Sequence, residues 1–270
     1  MKKTFLSIFT LLICAFLIFS LAGCLGDTEP DGAPTTSPAI ATGSIITPEN
    51  AGNNDTTKPS TNEGTPVDAS YFDDAAFVGD SVSLKLEYYC SATGALGNAQ
   101  FFTSGSLGSG NALWEVSDES VHPSYRGEKM LIEDCIAKSG AKKVYIMLGM
   151  NDLGMYGIDD TLVNYETLTD RILEKSPGVK IIIESMTPMT ETSNILGASL
   201  NNENIITYNN RLKDFAEDKG YGFVDIASVM YAEGENSLRR DYCSDPDDMG
   251  VHFTESGCEA WVNYLKTHTN

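Results

Sequence analysis

Ser81 stands where an apolar run stops. Residues Ala75 to Val78 give way abruptly to Gly79-Asp80-Ser81, and an amphipathic stretch opens with Val82-Ser83-Leu84. That order predicts a strand, a tight turn and a helix start with the serine at the corner. Its hydroxyl is then lifted clear of the sheet, and its backbone N–H lies at a helix N-terminus, where negative charge is stabilised. A serine so placed suits nucleophilic acyl transfer, provided a base lies within hydrogen-bond reach. Histidine fits that part, because its ordinary pKa lets it take up and return a proton near neutrality. Of the three histidines, His252 lies in a loop opening onto a helix N-cap at Thr254, whereas His122 in Val121-His122-Pro123 reads as a surface turn and His268 falls in the C-terminal tail. His252 is therefore the candidate base.

The elements that must bring these residues together follow from the alternation of apolar runs and amphipathic segments after Tyr71. Strands are predicted at 76–79, 99–103, 143–148, 180–185 and 222–225. Helical spacing of apolar residues predicts helices over 128–137, 161–173 and 204–216, with a last helix starting near Thr254 and facing Cys258, Trp261, Val262 and Leu265 inward. Five strands alternating with helices imply an α/β fold, a three-layer α/β/α sandwich on a five-stranded parallel sheet. In such sheets ligands bind outside the carboxyl ends of the strands. Four polar or glycine-rich corners fall there: Gly79-Asp80-Ser81, the run 103–111, Gly149-Met150-Asn151-Asp152, and Asp247-Asp248-Met249-Gly250-Val251-His252.

Taken in order, those four blocks resemble the SGNH, or GDSL-like, hydrolase superfamily of esterases and acyl hydrolases, over the region from about Tyr71 to Leu265. The resemblance implies a flavodoxin-like sheet in the order 2-1-3-4-5 and ester hydrolysis through an acyl-serine intermediate, with no cofactor and no metal. It implies Ser81 as nucleophile, His252 as base, and an oxyanion hole made by the N–H of Ser81, the N–H of Gly108 and the side-chain amide of Asn151. Gly108 is chosen over Gly105 and Gly110 by its place in the family's block. Donors of that kind are each worth about 3–4 kcal/mol of barrier. Asp152 is expected to brace its own loop by hydrogen bonding. One departure stands out: the family carries Asp three residues before the histidine, and here that position is Met249. Three groups compete to orient His252, namely Asp248, which is slightly favoured, Asp245, and a backbone carbonyl that would leave a Ser-His dyad.

Composition bounds the rest. Lys2 and Lys3 precede an apolar run to Leu21 and then Leu21-Ala22-Gly23-Cys24, which reads as a signal peptide over 1–23. The Cys after the small pair resembles the lipobox of bacterial lipoproteins, implying lipidation of Cys24 and a membrane anchor at the outer face of the cell. Residues 24–70 then form a disordered Thr/Pro/Ser/Gly linker, too poor in apolar residues to fold, with a reach of about 35–40 Å. Residues 71–270 form the hydrolase domain. A formal net charge of -20 argues against nucleic acid as a partner. Cys90, Cys135, Cys243 and Cys258 can pair in three ways in an oxidising compartment, or remain buried thiols. No spacing of Cys and His forms a metal cage. The location points to short acyl esters, acetyl groups on polysaccharide among them. Lysophospholipid or thioester cleavage is the alternative within the enzyme class, and a non-catalytic surface binding module is the alternative outside it.

Overall fold

The computed structural model describes residues 64–269. The expected signal peptide, Cys24 and the linker up to residue 63 lie outside the described residues. Packing reaches back before Tyr71: Gly64 and Val67 N–H donate to the carbonyls of Thr267 and Lys266 at 3.2 and 2.9 Å, so residues placed in the linker pack against the end of the last helix.

Five strands, β1 (Ala75–Gly79), β2 (Gln100–Thr103), β3 (Lys143–Met147), β4 (Lys180–Glu184) and β5 (Gly222–Val224), form one sheet in the order β2-β1-β3-β4-β5. Every neighbouring pair is parallel. β1 is buried along its whole length, as a central strand covered on both faces must be. Helices α1 (Ser81–Thr93) and α5 (Glu255–Thr267) pack together, while α2 (Ile132–Ser139), α3 (Leu153–Lys175) and α4 (Asn202–Lys219) pack in succession. This is the expected three-layer α/β sandwich.

Register is what positions the site. Gly79 at the end of β1 is level with Thr103 on β2 and with Met147 on β3. The three following corners, which carry Ser81, the 104–110 loop and Asn151, therefore leave the sheet side by side. Beneath them the aromatic side chains interlock: Phe77 stacks on Tyr145 at 4.7 Å and on Phe101 at 5.2 Å between centroids. Tyr165 on α3 and Tyr208 on α4 donate their hydroxyls to the carbonyls of Ile146 and Leu148, fastening both helices to the end of β3.

The predicted helix over 128–137 begins late. Arg126 and Gly127 both have positive φ, and the tight turn they make pairs Ser124–Tyr125 with Glu128–Lys129 as a small antiparallel hairpin, so that α2 starts only at Ile132. Conversely α3 starts eight residues ahead of the predicted 161, with a break at Gly157 where φ is 69°. His122, expected at the surface, is buried, with Nε2 3.2 Å from Ala112 O and Nδ1 2.9 Å from Ser120 Oγ. All four described cysteines are buried free thiols. Burial pushes each of them up to about 12, so they behave as small apolar residues.

α5 is held to the sheet by a buried polar pair: Trp261 Nε1 donates to Glu184 Oε1 at 3.0 Å. Burial raises the Glu184 carboxyl from 4.5 to about 7, against the opposing pull of the indole N–H. The folded protein therefore keeps a proton there that the unfolded chain loses, and this contribution to stability declines as pH rises from about 4.5 to about 7. Glu184→Gln preserves an acceptor for Trp261 and removes the titration. Urea unfolding at pH 5 and pH 8 should show the variant losing about 2–3 kcal/mol less than the parent between the two pH values; equal losses would refute the assignment.

Candidate active site

Asp80 ends the turn after β1 as the N-cap of α1, its Oδ1 accepting from Val82 N–H at 2.8 Å. That cap fixes the corner and leaves Ser81 as the first helical residue, with its N–H among those for which the helix itself offers no acceptor. Ser81 Oγ lies 2.9 Å from His252 Nε2, and His252 Nδ1 lies 2.7 Å from Asp245 Oδ2. A carboxylate can only accept, so Nδ1 carries the proton and Nε2 is left as the acceptor for the serine hydroxyl.

Asp245 therefore occupies the place for which Asp248 was favoured. The chain turns back on itself after Asp245-Pro246, with Asp248 N–H and Gly250 N–H both donating to Asp245 O at 3.0 Å, and this brings a residue seven positions before the histidine under its ring. Asp245 Oδ1 also receives the N–H groups of Val251 and His252 at 3.2 and 3.1 Å and the Cys243 thiol at 3.2 Å. Burial opposes ionisation of Asp245, but the donors from His252 and Cys243 outweigh it and hold the carboxyl below its ordinary pKa. Asp248 points the other way. Its Oδ1 accepts from Asn194 Nδ2 at 2.6 Å, and its carbonyl accepts from Asn194 N–H.

That contact belongs to a clasp between residues 190–194 and 246–250. Thr190 N–H donates to Gly250 O at 2.9 Å, Thr190 Oγ1 and Thr192 Oγ1 both donate to Pro246 O at 2.7 Å, and Ser193 Oγ donates to Met249 O at 2.5 Å. Gly250 sits at φ 68°, and a Cβ there would overlap Thr190 Oγ1 and Ser193 Cβ. The histidine loop is thus gripped from outside as well as by Asp245.

Asn151, at the end of β3, comes to the same rim. Its Nδ2 donates to Asp80 Oδ2 at 3.1 Å and to Leu107 O at 3.0 Å. Burial raises Asp80 to about 6, against the Val82 N–H and the nearby His252, while the neighbouring Asp152 adds to the rise. Gly108 is also at the rim, but its N–H donates to Asn111 Oδ1 at 2.8 Å. That N–H is thus engaged by Asn111, where the sequence reading expected it open for an oxyanion. Asp152 ties its own loop through its backbone, donating its N–H to Gly149 O at 2.9 Å, but not through its carboxylate. It reaches to the neighbouring one, accepting from Ser109 N–H at 2.9 Å, Ser109 Oγ at 3.1 Å and Gly110 N–H at 3.0 Å, and it leaves room for nothing larger than glycine at 108. Sequence reading missed Asp245 as first choice, and it gave no role to Asp80 or Asn111. The only local signal for Asp245 was its Asp-Pro turn.

A three-layer α/β sandwich with a half-buried serine at a strand-to-helix corner, a histidine on its hydroxyl and a carboxylate behind the ring is an arrangement suited to acyl transfer. The family comparison agrees: residues 126–260, half of the chain, match the GDSL-like Lipase/Acylhydrolase family, and the chain belongs to that family of ester hydrolases. The matched stretch contains Asn151, Asp245 and His252 and begins after Ser81 and Gly108. Among solved structures, a GDSL-like lipase from Bacteroides thetaiotaomicron is similar over 71% of this chain and 85% of its own, at 18% identity and a TM-score of 0.54. A candidate acylhydrolase from Bacteroides fragilis covers 71% and 83%, at 20% identity and a TM-score of 0.53. A Streptococcus pneumonia protein described as a candidate platelet activating factor covers 73% and 89%, at 17% identity and a TM-score of 0.54. At these identities the likeness is one of fold. No curated protein sequence matches the chain.

The clasp gives a direct expectation for stability. Gly250→Ala combines a strained φ with an overlap at Thr190, and should cost roughly 2–3 kcal/mol in denaturant unfolding. Gly197→Ala, in the same region but with open space around it and no positive φ, should stay within about 0.5 kcal/mol of the parent. Equal effects would mean that the clasp does not hold the loop.

Proposed function

We propose that this protein hydrolyses carboxylic esters through an acyl intermediate on Ser81. The observation that carries the proposal is the unbroken row Asp245–His252–Ser81, with contacts of 2.7 and 2.9 Å. Ser81 Oγ attacks the ester carbonyl carbon as its proton passes to His252 Nε2. Asp245 stays ionised and stabilises the imidazolium. The oxygen that gains charge is met by Ser81 N–H at the start of α1 and by the Asn151 amide, which releases one of its two resting acceptors to do so. Collapse of the tetrahedral intermediate expels the alcohol, which takes the proton from His252. Water then repeats the sequence on the acyl-serine and returns free acid and Ser81.

The substrate we favour is a short-chain ester, acetyl groups on polysaccharide among them. The protein would be secreted by way of residues 1–23, lipidated at Cys24 and held at the outer face of a bacterial membrane. Support for the location is the Leu21-Ala22-Gly23-Cys24 sequence and the linker after it. A longer acyl chain is the second reading, favoured by one observation: Met155, Leu196 and Met249 are exposed large apolar residues on segments that follow Asn151, precede α4 and adjoin His252. The reading as a non-catalytic binding module loses its motive, because the carboxylate that seemed absent at 249 is supplied by Asp245.

Hydrolysis of p-nitrophenyl esters separates these possibilities. Ser81→Ala should abolish turnover, Asp245→Asn should lower kcat by about 100- to 10,000-fold, and Asp248→Asn should leave kcat within about threefold of the parent. Reversal of the two Asp effects would contradict the row described here. Across an acetate-to-decanoate series, kcat/KM highest at acetate or butyrate supports the short-chain substrate, and a maximum at octanoate or beyond transfers the assignment to longer acyl groups.

A further inference from the structure

The two loop donors expected at the oxyanion are both turned onto acceptors of the protein itself, and the way they are turned is informative. Asn151 Nδ2 donates to Leu107 O at 3.0 Å, while Gly108 N–H donates to Asn111 Oδ1 at 2.8 Å. These two groups, Leu107 C=O and Gly108 N–H, belong to one peptide unit. The described chain has no cis peptide, and a trans unit sets its carbonyl and its N–H on opposite edges. With the carbonyl facing Asn151, the N–H must face away from it. An oxyanion bound by Asn151 would therefore meet the oxygen of Leu107, an acceptor where a donor is needed.

This one peptide is hydrogen-bonded by side chains and not by backbone. Leu107 N–H is pinned to Ser104 O at 3.2 Å and Gly108 O receives Ala112 N–H at 3.0 Å, so the peptide units on either side are anchored by backbone. The Leu107 side chain is fully buried and marks the pivot. Between these anchors, the hydrogen bonds to the plane come from two side chains, Asn151 and Asn111, while the Asp152 carboxylate packs beside Gly108. Turning it over changes ψ of Leu107 and φ of Gly108, and glycine takes either sign of φ at little cost. Asn111 is itself tied down by Nδ2, which donates to Ser106 O at 2.8 Å, so that its Oδ1 is aimed at Gly108.

We infer that the Leu107–Gly108 peptide turns over as the oxyanion forms, exchanging the Leu107 carbonyl beside Asn151 for the Gly108 N–H, and that Asn111 is the positioning residue that holds the resting orientation. The inference rests on the reading of Ser81 as nucleophile. It makes the third oxyanion donor available in the charged intermediate, whereas in the orientation described above the Asn111 amide oxygen takes its hydrogen bond. Binding energy is then directed to the transition state over the ground state, the distinction on which rate acceleration depends.

The test is the structure of the full-length protein after reaction with diethyl p-nitrophenyl phosphate, a reagent in which Ser81 Oγ displaces p-nitrophenolate at phosphorus. The result expected is a phosphoryl oxygen within hydrogen-bond distance of Gly108 N, with Asn111 Oδ1 displaced. A labelled Ser81 with Gly108 N–H still on Asn111 and Leu107 O still facing Asn151 overturns this inference and leaves the hydrolase reading standing. No label on Ser81 overturns both. A kinetic arm isolates Asn111: Asn111→Ala should raise kcat on p-nitrophenyl acetate about fivefold, the effect of removing one neutral hydrogen bond from the resting state alone, with KM within about twofold. An unchanged or lowered kcat removes Asn111 from the role.

Discussion

The structure at this rim depends on the Asp245 carboxylate. One oxygen holds the imidazole of His252, and the other gathers the N–H groups of Val251 and His252 and the Cys243 thiol. A carboxylate with this many donors is held ionised, and an ionised Asp245 allows only one tautomer of His252, the one with Nε2 open to Ser81. The same oxygens close the 243–252 loop upon itself, so the chemistry of the site and the shape of its loop share a single support. Loss of that charge would release the ring and the turn together.

Around this support the rim is assembled from groups that each do two things. Asp80 caps α1 and holds the Asn151 amide; Asp152 binds two N–H groups of the 109–110 loop and limits residue 108 to glycine. Both carboxyls are buried, and burial raises the pKa of each, which is tolerable only because backbone donors offset the lost hydration. The sheet register does the coarse alignment, and these buried acids do the fine alignment. The Leu107–Gly108 peptide is oriented instead by the side chains of Asn151 and Asn111, and on the inference drawn above its orientation decides whether the site shows an incoming carbonyl a donor or an acceptor.

Much of the architecture was legible in the sequence for physical reasons. β1, β3 and β4 are short apolar runs that end in glycine or polar corners, and parallel central strands have no other way to be written. α4 and α5 carry clear helical spacing, and Thr254 caps α5 as predicted by accepting from Gly257 N–H. The hairpin at 124–129 was not legible as strand, since two-residue strands carry no periodicity and only Arg126-Gly127 marks the turn. Ser81, Asn151 and His252 could be placed because each sits at the end of a recognisable element. Asp245 was harder. It reaches His252 through a turn within an irregular loop, and sequence distance from a histidine says little about spatial distance when the chain doubles back. The burial of His122 and the Asn111–Gly108 contact were invisible for the same reason, being side-chain interactions inside loops.

The central claim is that Ser81 is the atom that takes the acyl group. The most direct measurement is to quench the full-length protein with acid during turnover of p-nitrophenyl acetate and to locate the acetyl group by peptide mass spectrometry. The account predicts one acetyl group, on the peptide containing Ser81 and on that serine. Turnover with no acylated Ser81 at any time point, or an acetyl group carried by another residue, would contradict it.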